Sequence, residues 1–235
     1  MAEINLINEQ IAGENALYAM LACNSYHQDN KIYFPVNKIG WVLVDRDGDP
    51  TDEPTKESKL TGFAYDLYED KNSNKSVIAF RGTDSKQDWF LSNLAVPFSL
   101  PYKQANKAVR KYLRNNPNKN LVIVGHSLGG GMALGASVNY GVPAITFDPS
   151  PRIFDGLGDK HETAMRIVIY QKGEILNKVR KRWSKINEVV KKEDVYMCEY
   201  DFKGKSEHRI DILALEMAKH GSTANLKLKT ILDAI

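Results

Sequence analysis

The hydrophobic positions of this chain follow two different periods. Residues 11–26 carry Ala, Leu, Tyr and Met at helical spacing, and residues 103–114 have the pattern of an amphipathic helix. Residues 60–70 alternate between apolar and polar side chains, and a polar turn at 71–75 joins them to a strand-like run at 76–82. The pattern therefore predicts helices mixed with strands, with a hairpin in the first half of the chain.

Three short, continuous apolar runs follow, and they have the composition of strands that are buried on both faces. They are Leu121–Val124, Pro143–Asp148 and Met165–Tyr170, and residues 132–140 have helical spacing. Strands that alternate with helices predict an α/β fold with a mainly parallel sheet flanked by helices. No linker interrupts the pattern, so we expect a single domain over residues 1–235 and a site beyond the carboxyl ends of the strands.

One serine lies where the first of these runs gives way to a helix. The segment reads Gly125-His126-Ser127-Leu128-Gly129, and further small residues follow it. A tight strand-to-helix turn points the serine hydroxyl out of the sheet, and the glycines remove side chains that would collide there. The helix start also offers N–H groups to a developing negative charge. We interpret Ser127 as the nucleophile of a nucleophile elbow; the alternative is a serine that merely caps the helix.

Two stretches of the chain carry a resemblance to a known family. Val77–Ser99, which reads VIAFRGTDSKQDWFLSNLAVPFS, and Val122–Ser137, which reads VIVGHSLGGGMALGAS, resemble the class-three, fungal-type lipases and their bacterial relatives. Residues 16–26, ALYAMLACNSY, are similar to the leading helix of the bacterial members. These enzymes have the α/β-hydrolase fold and cleave carboxylic ester bonds in lipids. The resemblance implies the same fold and chemistry here.

The resemblance also implies an oxyanion hole and a lid. The Phe-Arg-Gly-Thr sequence at 80–83 matches the family motif whose last residue builds the oxyanion hole, so Thr83 would donate its backbone N–H, with Leu128 as the second donor. Residues 88–98 fall where family members carry a lid or its anchor, although a helix packed on the core is an equal alternative. The segment 148–152 departs from the usual family turn, which affects substrate choice more than chemistry.

The base should follow Ser127 and the acid in the chain, because this fold orders its triad as serine, acid and histidine. His208 lies between a predicted strand and an amphipathic helix, which is the loop position expected for the base. His220, at the far end of that helix, is the alternative, although it also has the position of a C-terminal cap. We interpret His126, inside the serine turn, as structural, and His161 comes too early in the chain.

The acid is expected in the loop after the strand at 165–170. Glu174 follows that strand and precedes an apolar residue, which is the family position for the acid with glutamate in place of aspartate. Asp148 ends the preceding strand and is the alternative. Asp155 and Asp159 are weaker candidates, because any lone acid in a loop is most often a solvated carboxylate.

Composition narrows the class of protein further. The chain has 235 residues, of which 43% are hydrophobic and 26% charged, and its formal charge of +3 gives no reason to expect nucleic acid. Two cysteines do not make a disulfide scaffold. We find neither a metal-ligand cluster nor a nucleotide-binding glycine pattern, so we expect no cofactor and no metal. The polar start and the lack of a long apolar run predict a protein that is cytoplasmic as synthesised, with signal-independent export left open.

A basic segment at 177–192 raises the question of a membrane. It reads NKVRKRWSKINEVVKK and combines an excess of positive charge with an apolar stripe. Such a helix can lie on an anionic membrane surface, which would favour phospholipid substrates. The alternative is a helix packed on the core with a solvated charged face.

The leading hypothesis is a serine carboxylester hydrolase that acts on lipid esters, as a lipase or phospholipase. In this mechanism His208 activates Ser127, Glu174 orients the imidazole, and an acyl-enzyme is formed and then hydrolysed. Acyl transfer or thioester hydrolysis on the same machinery is one alternative. An inactive hydrolase fold used as a binding module is another.

Overall fold

A mixed sheet lies at the centre of the fold, and nine strands belong to it within the described part of the chain. The computed structural model describes residues 5–27, 31–58, 61–82, 99–151, 161–176 and 185–235. The strands are β1 (Asn5–Leu6), β2 (Trp41–Val44), β3 (Lys56–Glu57), β4 (Ala64–Asp70), β5 (Lys75–Phe80), β6 (Asn120–His126), β7 (Ala144–Phe147), β8 (Arg166–Gln171) and β9 (Val195–Cys198). Their order is β1-β9-β8-β7-β6-β5-β4-β2, and β3 pairs with β4.

The strands that follow the β4–β5 hairpin run parallel to one another. Each neighbouring pair in the row β5-β6-β7-β8-β9 is parallel. The three strands that pair with β4, namely β2, β3 and β5, are antiparallel to it. The register places Phe80 beside Gly125, and His126 beside Phe147. The prediction of a mainly parallel sheet is confirmed, and the carboxyl ends of β5, β6 and β7 meet at one edge.

Helices cover both faces of the sheet. They are α1 (Glu9–Asn24), α2 (Ser99–Asn115), α3 (Leu128–Tyr140), α4 (Lys185–Val189), α5 (Ile210–Gly221) and α6 (Leu226–Leu232). Successive side chains of a strand point to opposite faces, so Val77 and Ala79 pack in one core cluster with α1 and α5, and Ile78 and Phe80 pack in another with α2 and α3. This explains why the strands read as continuous apolar runs. No described helix has the length and apolar character needed to cross a membrane.

Helices α1 and α5 approach each other very closely where Gly13 meets Gly221. A Cβ atom added to Gly221 would lie 2.3 Å from the backbone nitrogen of Gly13. The facing surfaces of the two helices are otherwise rich in buried alanines, among them Ala16 and Ala218. Small residues let the backbones of the two helices pack at short range. Helix α1 is therefore in close contact with α5, the helix that follows His208.

Helices α3 and α2 contain poor helix formers in their first turns. Helix α3 begins at Leu128, directly after the serine, as expected for a nucleophile elbow, and close packing on the sheet outweighs the low helix propensity of the glycines at 129–131. Helix α2 begins at Ser99 rather than at residue 103, with Pro101 in its first turn, where a proline is tolerated.

Candidate active site

The serine turn connects β6 to α3 at the carboxyl edge of the sheet. Ser127 has φ 57° and ψ −125°, a conformation that an L-residue rarely adopts and that costs on the order of 1–3 kcal/mol. Its carbonyl oxygen accepts hydrogen bonds from the backbone nitrogens of Ser150, at 2.8 Å, and Gly131, at 3.2 Å. These bonds hold the backbone in its strained conformation, as expected for a nucleophile elbow.

The glycines around Ser127 are required by contact distances. A Cβ atom on Gly129 would lie 2.1 Å from the carbonyl oxygen of Phe80, and one on Gly125 would lie 2.4 Å from the carbonyl carbon of Gly129. Real Cβ atoms do not approach other atoms so closely. The strand before the serine, the helix after it and the neighbouring strand β5 can therefore converge only because these positions lack side chains.

Ser127, His208 and Glu174 form a continuous hydrogen-bonded chain. His208 Nε2 lies 3.0 Å from Ser127 Oγ, and His208 Nδ1 lies 3.1 Å from Glu174 Oε2. The carboxylate is completely buried and the imidazole is only 11% exposed. Buried hydrogen bonds to a charged group are stronger than exposed ones, because little water competes for the partners. The three residues that the sequence pointed to are brought together in the order serine, histidine, acid.

Glu174 reaches His208 from the turn that follows β8. Its Oε2 also accepts a hydrogen bond from the backbone nitrogen of Leu176 at 2.9 Å. This second bond fixes the carboxylate, so the extra methylene of glutamate relative to aspartate does not leave it mobile.

The alternative base and acid have other partners. His220 Nδ1 lies 3.0 Å from the hydroxyl of Tyr200, in the last turn of α5. Asp148 Oδ1 accepts a hydrogen bond from the backbone nitrogen of Gln171 at 2.9 Å, and the residue has φ 40° and no exposed surface. Asp155 and Asp159 lie outside the described residues. His161 is exposed, and its carbonyl oxygen accepts from Arg166.

Tyr26 is a residue of this site that the sequence patterns did not single out. Its hydroxyl oxygen lies 2.9 Å from His126 Nδ1 and accepts a hydrogen bond from the backbone nitrogen of Gly82 at 3.1 Å. Gly82 and His126 directly precede Thr83 and Ser127. One hydroxyl therefore connects the ends of β5 and β6. The only sequence signal was the similarity of residues 16–26 to a family leading helix.

Of the two proposed oxyanion donors, Leu128 lies within the described residues and Thr83 does not. Leu128 is the first residue of α3, so its backbone N–H is among those that have no carbonyl partner within the helix. Thr83 and the lid segment 88–98 lie outside the described residues. Gly82, which directly precedes Thr83 in the chain, lies beside Ser127: a Cβ atom on Gly82 would lie 3.2 Å from Ser127 Cβ.

Two histidines and a carboxylate lie close together beneath the serine. The rings of His126 and His208 have centroids 4.6 Å apart, and one ligand atom each from His126, His208 and Asp148 lie within 4.8 Å of one another. This is the group within the described residues that could approach a metal ion. A metal there would have to displace His208 from Ser127 or Glu174, so we assign no metal role to it.

Two ionisable groups near the site have raised pKa values. Burial, reinforced by the neighbouring Asp148 carboxylate, raises the pKa of the Cys198 thiol well above its usual range. Burial likewise raises the pKa of Tyr200. Both side chains therefore remain protonated at neutral pH, and Cys198 is not a competing nucleophile.

Half of the basic segment, residues 177–184, lies outside the described residues. Within the described part, Ile186 and Val190 are buried in a core cluster with Leu134 and Val168. The end of the apolar stripe is therefore packed on the core, in agreement with the alternative that we gave for this segment. Lys191 and Lys192 remain exposed.

Comparison with known proteins agrees with this architecture. Residues 17–192 match the Phospholipase-like family, described as the Tle-like phospholipase domain. Over 90 residues the chain is 39% identical to the extracellular phospholipase A1 of Serratia liquefaciens; this match covers 37% of the chain and only 27% of that protein. The chain thus spans about a quarter of that relative's length.

Solved lipase structures share the fold. The lipase of Rhizopus microsporus var. chinensis superposes with a TM-score of 0.52 and 18% identity, covering 75% of this chain and 71% of its own. The N225Q mutant of MDLA from Penicillium cyclopium gives a TM-score of 0.54 at 18% identity, with 82% of each chain covered.

The fold and the serine turn place the chain among the α/β hydrolases, in the class of lipases and phospholipases. Within that class, the chain belongs to the Phospholipase-like family of Tle-like phospholipase domains. The resemblance to class-three lipases is confirmed at the level of the fold, and the family that matches is the Phospholipase-like one. The matched residues include Ser127 and Glu174 but end before His208.

Proposed function

We propose that this protein is a serine carboxylester hydrolase that cleaves lipid esters through Ser127, His208 and Glu174. The observation that carries the proposal is the hydrogen-bonded chain from Ser127 Oγ through the His208 imidazole to Glu174, at 3.0 and 3.1 Å. A serine hydroxyl is a weak nucleophile unless a base lies within hydrogen-bond reach and is itself oriented by a third group. These distances meet both requirements.

The reaction follows from these contacts. Ser127 Oγ attacks the ester carbonyl while His208 Nε2 takes its proton, and the resulting imidazolium is stabilised by Glu174 at Nδ1. His208 then gives that proton to the leaving alcohol oxygen. A water molecule, deprotonated by His208, releases the acyl group and regenerates the serine.

The oxyanion of the tetrahedral intermediate would be held by backbone N–H groups of Leu128 and Thr83. The position of Leu128 at the first residue of α3 supports this role, because its N–H lies at the positive end of a helix dipole. A donor of this kind contributes about 3–4 kcal/mol in the transition state. For Thr83 the proposal depends on the family motif and on the anchored Gly82 before it.

Phospholipids are the substrate class that we propose. The family is one of phospholipase domains, and the Serratia relative is named as a phospholipase A1. The first bond to test is therefore the acyl ester at the sn-1 position of a glycerophospholipid. Neutral lipid esters are the second class, because the structural neighbours include lipases.

The experiment compares the wild-type protein with Ser127→Ala. Both are incubated with short p-nitrophenyl esters and with vesicles of phosphatidylcholine and phosphatidylglycerol, and free fatty acid is measured. We expect turnover and fluorophosphonate labelling in the wild type, and a loss of at least about 10⁴-fold with no labelling in Ser127→Ala. Equal turnover in both proteins, or neither turnover nor labelling in the wild type, would refute the proposal and favour a binding module.

We also propose peripheral contact with anionic membranes through the basic segment 177–192. The support is the excess of positive charge in this segment. In its described part, the side chains of Lys191 and Lys192 are exposed to solvent. Each basic side chain near an anionic surface contributes about 1 kcal/mol. Replacing these two lysines by glutamine should weaken sedimentation with phosphatidylglycerol vesicles but not with phosphatidylcholine vesicles; equal loss on both would contradict the proposal.

A further inference from the structure

Asp148 occupies an unusual position that the proposed mechanism does not use. It is the residue directly after β7, it is fully buried, and its φ of 40° lies in the left-handed region. A buried carboxylate is costly to desolvate, and aspartate adopts the left-handed region less readily than glycine, although more readily than most other residues. Both costs at one position indicate a role for the side chain.

The Asp148 carboxylate is fixed in place and lies close to the proposed base. Its Oδ1 accepts the backbone N–H of Gln171 at 2.9 Å. One of its oxygens lies within 4.8 Å of a ring nitrogen of His126 and of a ring nitrogen of His208. Glu174 contacts the same His208 imidazole at 3.1 Å. Two buried carboxylates therefore lie near one imidazole.

Within the described part of the chain, the contacts place four groups around His208. They are Ser127 at the turn, Glu174 after β8, His126 at the end of β6 and Asp148 at the end of β7. Its neighbour Arg209 is paired with Asp211 instead. The negative charges that face the imidazole thus come from Glu174 and Asp148, and the positive form of His208 is the form that both would favour.

We propose that Asp148 is a second carboxylate of the site, which stabilises the positively charged form of His208 and sustains part of the reaction when Glu174 is removed. This inference rests on the proposed function, because it assigns Asp148 an effect on the same base. Asp148 makes no contact with substrate in this scheme. It is a positioning residue that acts through His208.

The kinetic test combines Asp148→Asn and Glu174→Gln, singly and together, with a soluble p-nitrophenyl ester. Asparagine tolerates the left-handed backbone, and Asp148→Gly removes the carboxylate with no backbone strain, so at least one of these two variants should fold. We expect a three- to tenfold loss of kcat/KM, on the order of 1 kcal/mol, for Asp148→Asn alone. When Asp148→Asn is added to Glu174→Gln, we expect a larger loss of kcat/KM, so that the double variant is no more active than Ser127→Ala.

The pH dependence separates a charge effect from a packing effect. Activity requires neutral His208, so it rises with pH through the pKa of the imidazole. Loss of a neighbouring negative charge lowers that pKa, so the acid limb of the kcat/KM profile should move to lower pH by about half a unit or more in Asp148→Asn. The proposal would be overturned if the acid limb did not move and Asp148→Asn lowered kcat/KM by the same factor in the wild-type and Glu174→Gln proteins.

Asp66→Asn is the matched control. Asp66 is equally buried and also contacts a histidine, but that histidine is His27. We expect Asp66→Asn to leave the acid limb in place. If Asp66→Asn shifted the acid limb as much as Asp148→Asn does, the shift would follow from the loss of any buried aspartate. That result would overturn the assignment to Asp148.

An NMR titration makes the test independent of turnover. In the Ser127→Ala protein, the His208 imidazole is followed with ¹³C-labelled histidine, and its signal is assigned by comparison with Ser127→Ala/His208→Ala. Addition of Asp148→Asn should lower the measured pKa of His208, and an unchanged value overturns the proposal. If the wild type has no esterase activity, the proposed function fails, but this titration still decides whether Asp148 acts on His208.

Discussion

The serine turn and the two loops that carry Glu174 and His208 are built in different ways. In the turn, backbone atoms of β5, β6 and α3 lie so close together that an added Cβ on Gly129 would be 2.1 Å from a carbonyl oxygen. In the loops, side chains span the distance, and a Cβ on Gly173, next to Glu174, would meet no atom within 4 Å. The turn is fixed by local backbone packing, and the loops by a few long-range hydrogen bonds.

The difference explains what each region demands of the sequence. Close backbone packing restricts several neighbouring positions to glycine, so the turn is recognisable as a short motif. A loop that delivers one side chain requires only that side chain and the correct topology. The proposed acid can therefore be a glutamate rather than an aspartate, because the bond from Leu176 fixes the longer side chain.

The largest expected effect concerns the base. We expect His208→Ala to lower kcat by about 10⁴-fold or more on a p-nitrophenyl ester, because the serine loses its general base. His220→Ala is the matched control, since His220 lies at the far end of the helix that follows His208 and contacts Tyr200 instead. It should change kcat by less than about threefold. Comparable losses in the two variants would mean that the loops do not deliver the base as described.

The second prediction compares one glycine from each region. Gly129→Ala should destabilise the protein by about 2–3 kcal/mol, because the new methyl group collides with the backbone of Phe80. Gly173→Ala has room for the methyl group but has φ 84°, so it should cost only about 1 kcal/mol. Urea denaturation measures both values. Equal values, or the reverse order, would contradict the distinction between the two regions.

The third prediction tests the hydroxyl that joins the ends of β5 and β6. Tyr26→Phe removes its bonds to Gly82 and His126 without changing the ring. We expect kcat to fall about tenfold with KM unchanged, since the loss of buried hydrogen bonds costs about 1–1.5 kcal/mol in positioning. Tyr200→Phe, which affects His220, should leave kcat near the wild-type value. A rise in KM alone would assign Tyr26 to substrate binding.

The smallest predicted effect is a pH-dependent one at the end of α1. A hydrogen bond to Asp66 raises the pKa of His27 above 6.5, against the opposing effect of burial, with Arg81 lowering it and Glu53 raising it slightly. A raised pKa in the folded protein means that the pair stabilises the fold at low pH, and that this contribution is lost as pH rises through the folded pKa. His27→Asn should therefore reduce the urea midpoint more at about pH 5.5 than at about pH 8.5. An equal reduction at both pH values would exclude a charged His27 in this pair.

Sequence reasoning predicted the parts of this molecule that depend on neighbouring residues. The buried strands and the serine turn have local signatures, and the order of the proposed triad was inferred from chain topology. Tyr26 could not be found in this way, because its partners are 56 and 100 residues away and a tyrosine after a helix has no distinctive pattern. The start of α2 at Ser99 was missed because Pro101 has the character of a helix breaker, although a proline is tolerated in the first turn of a helix.

The contact of Gly13 with Gly221 has a consequence for how the protein is made. The serine turn needs only strands and a helix that are complete by about the middle of the chain, whereas the proposed base comes 81 residues later. The helix that follows this base docks on α1, which is synthesised long before it. While the residues between them are translated, the nascent polypeptide therefore carries the serine without its proposed proton acceptor, which is held in place only when α5 docks on α1.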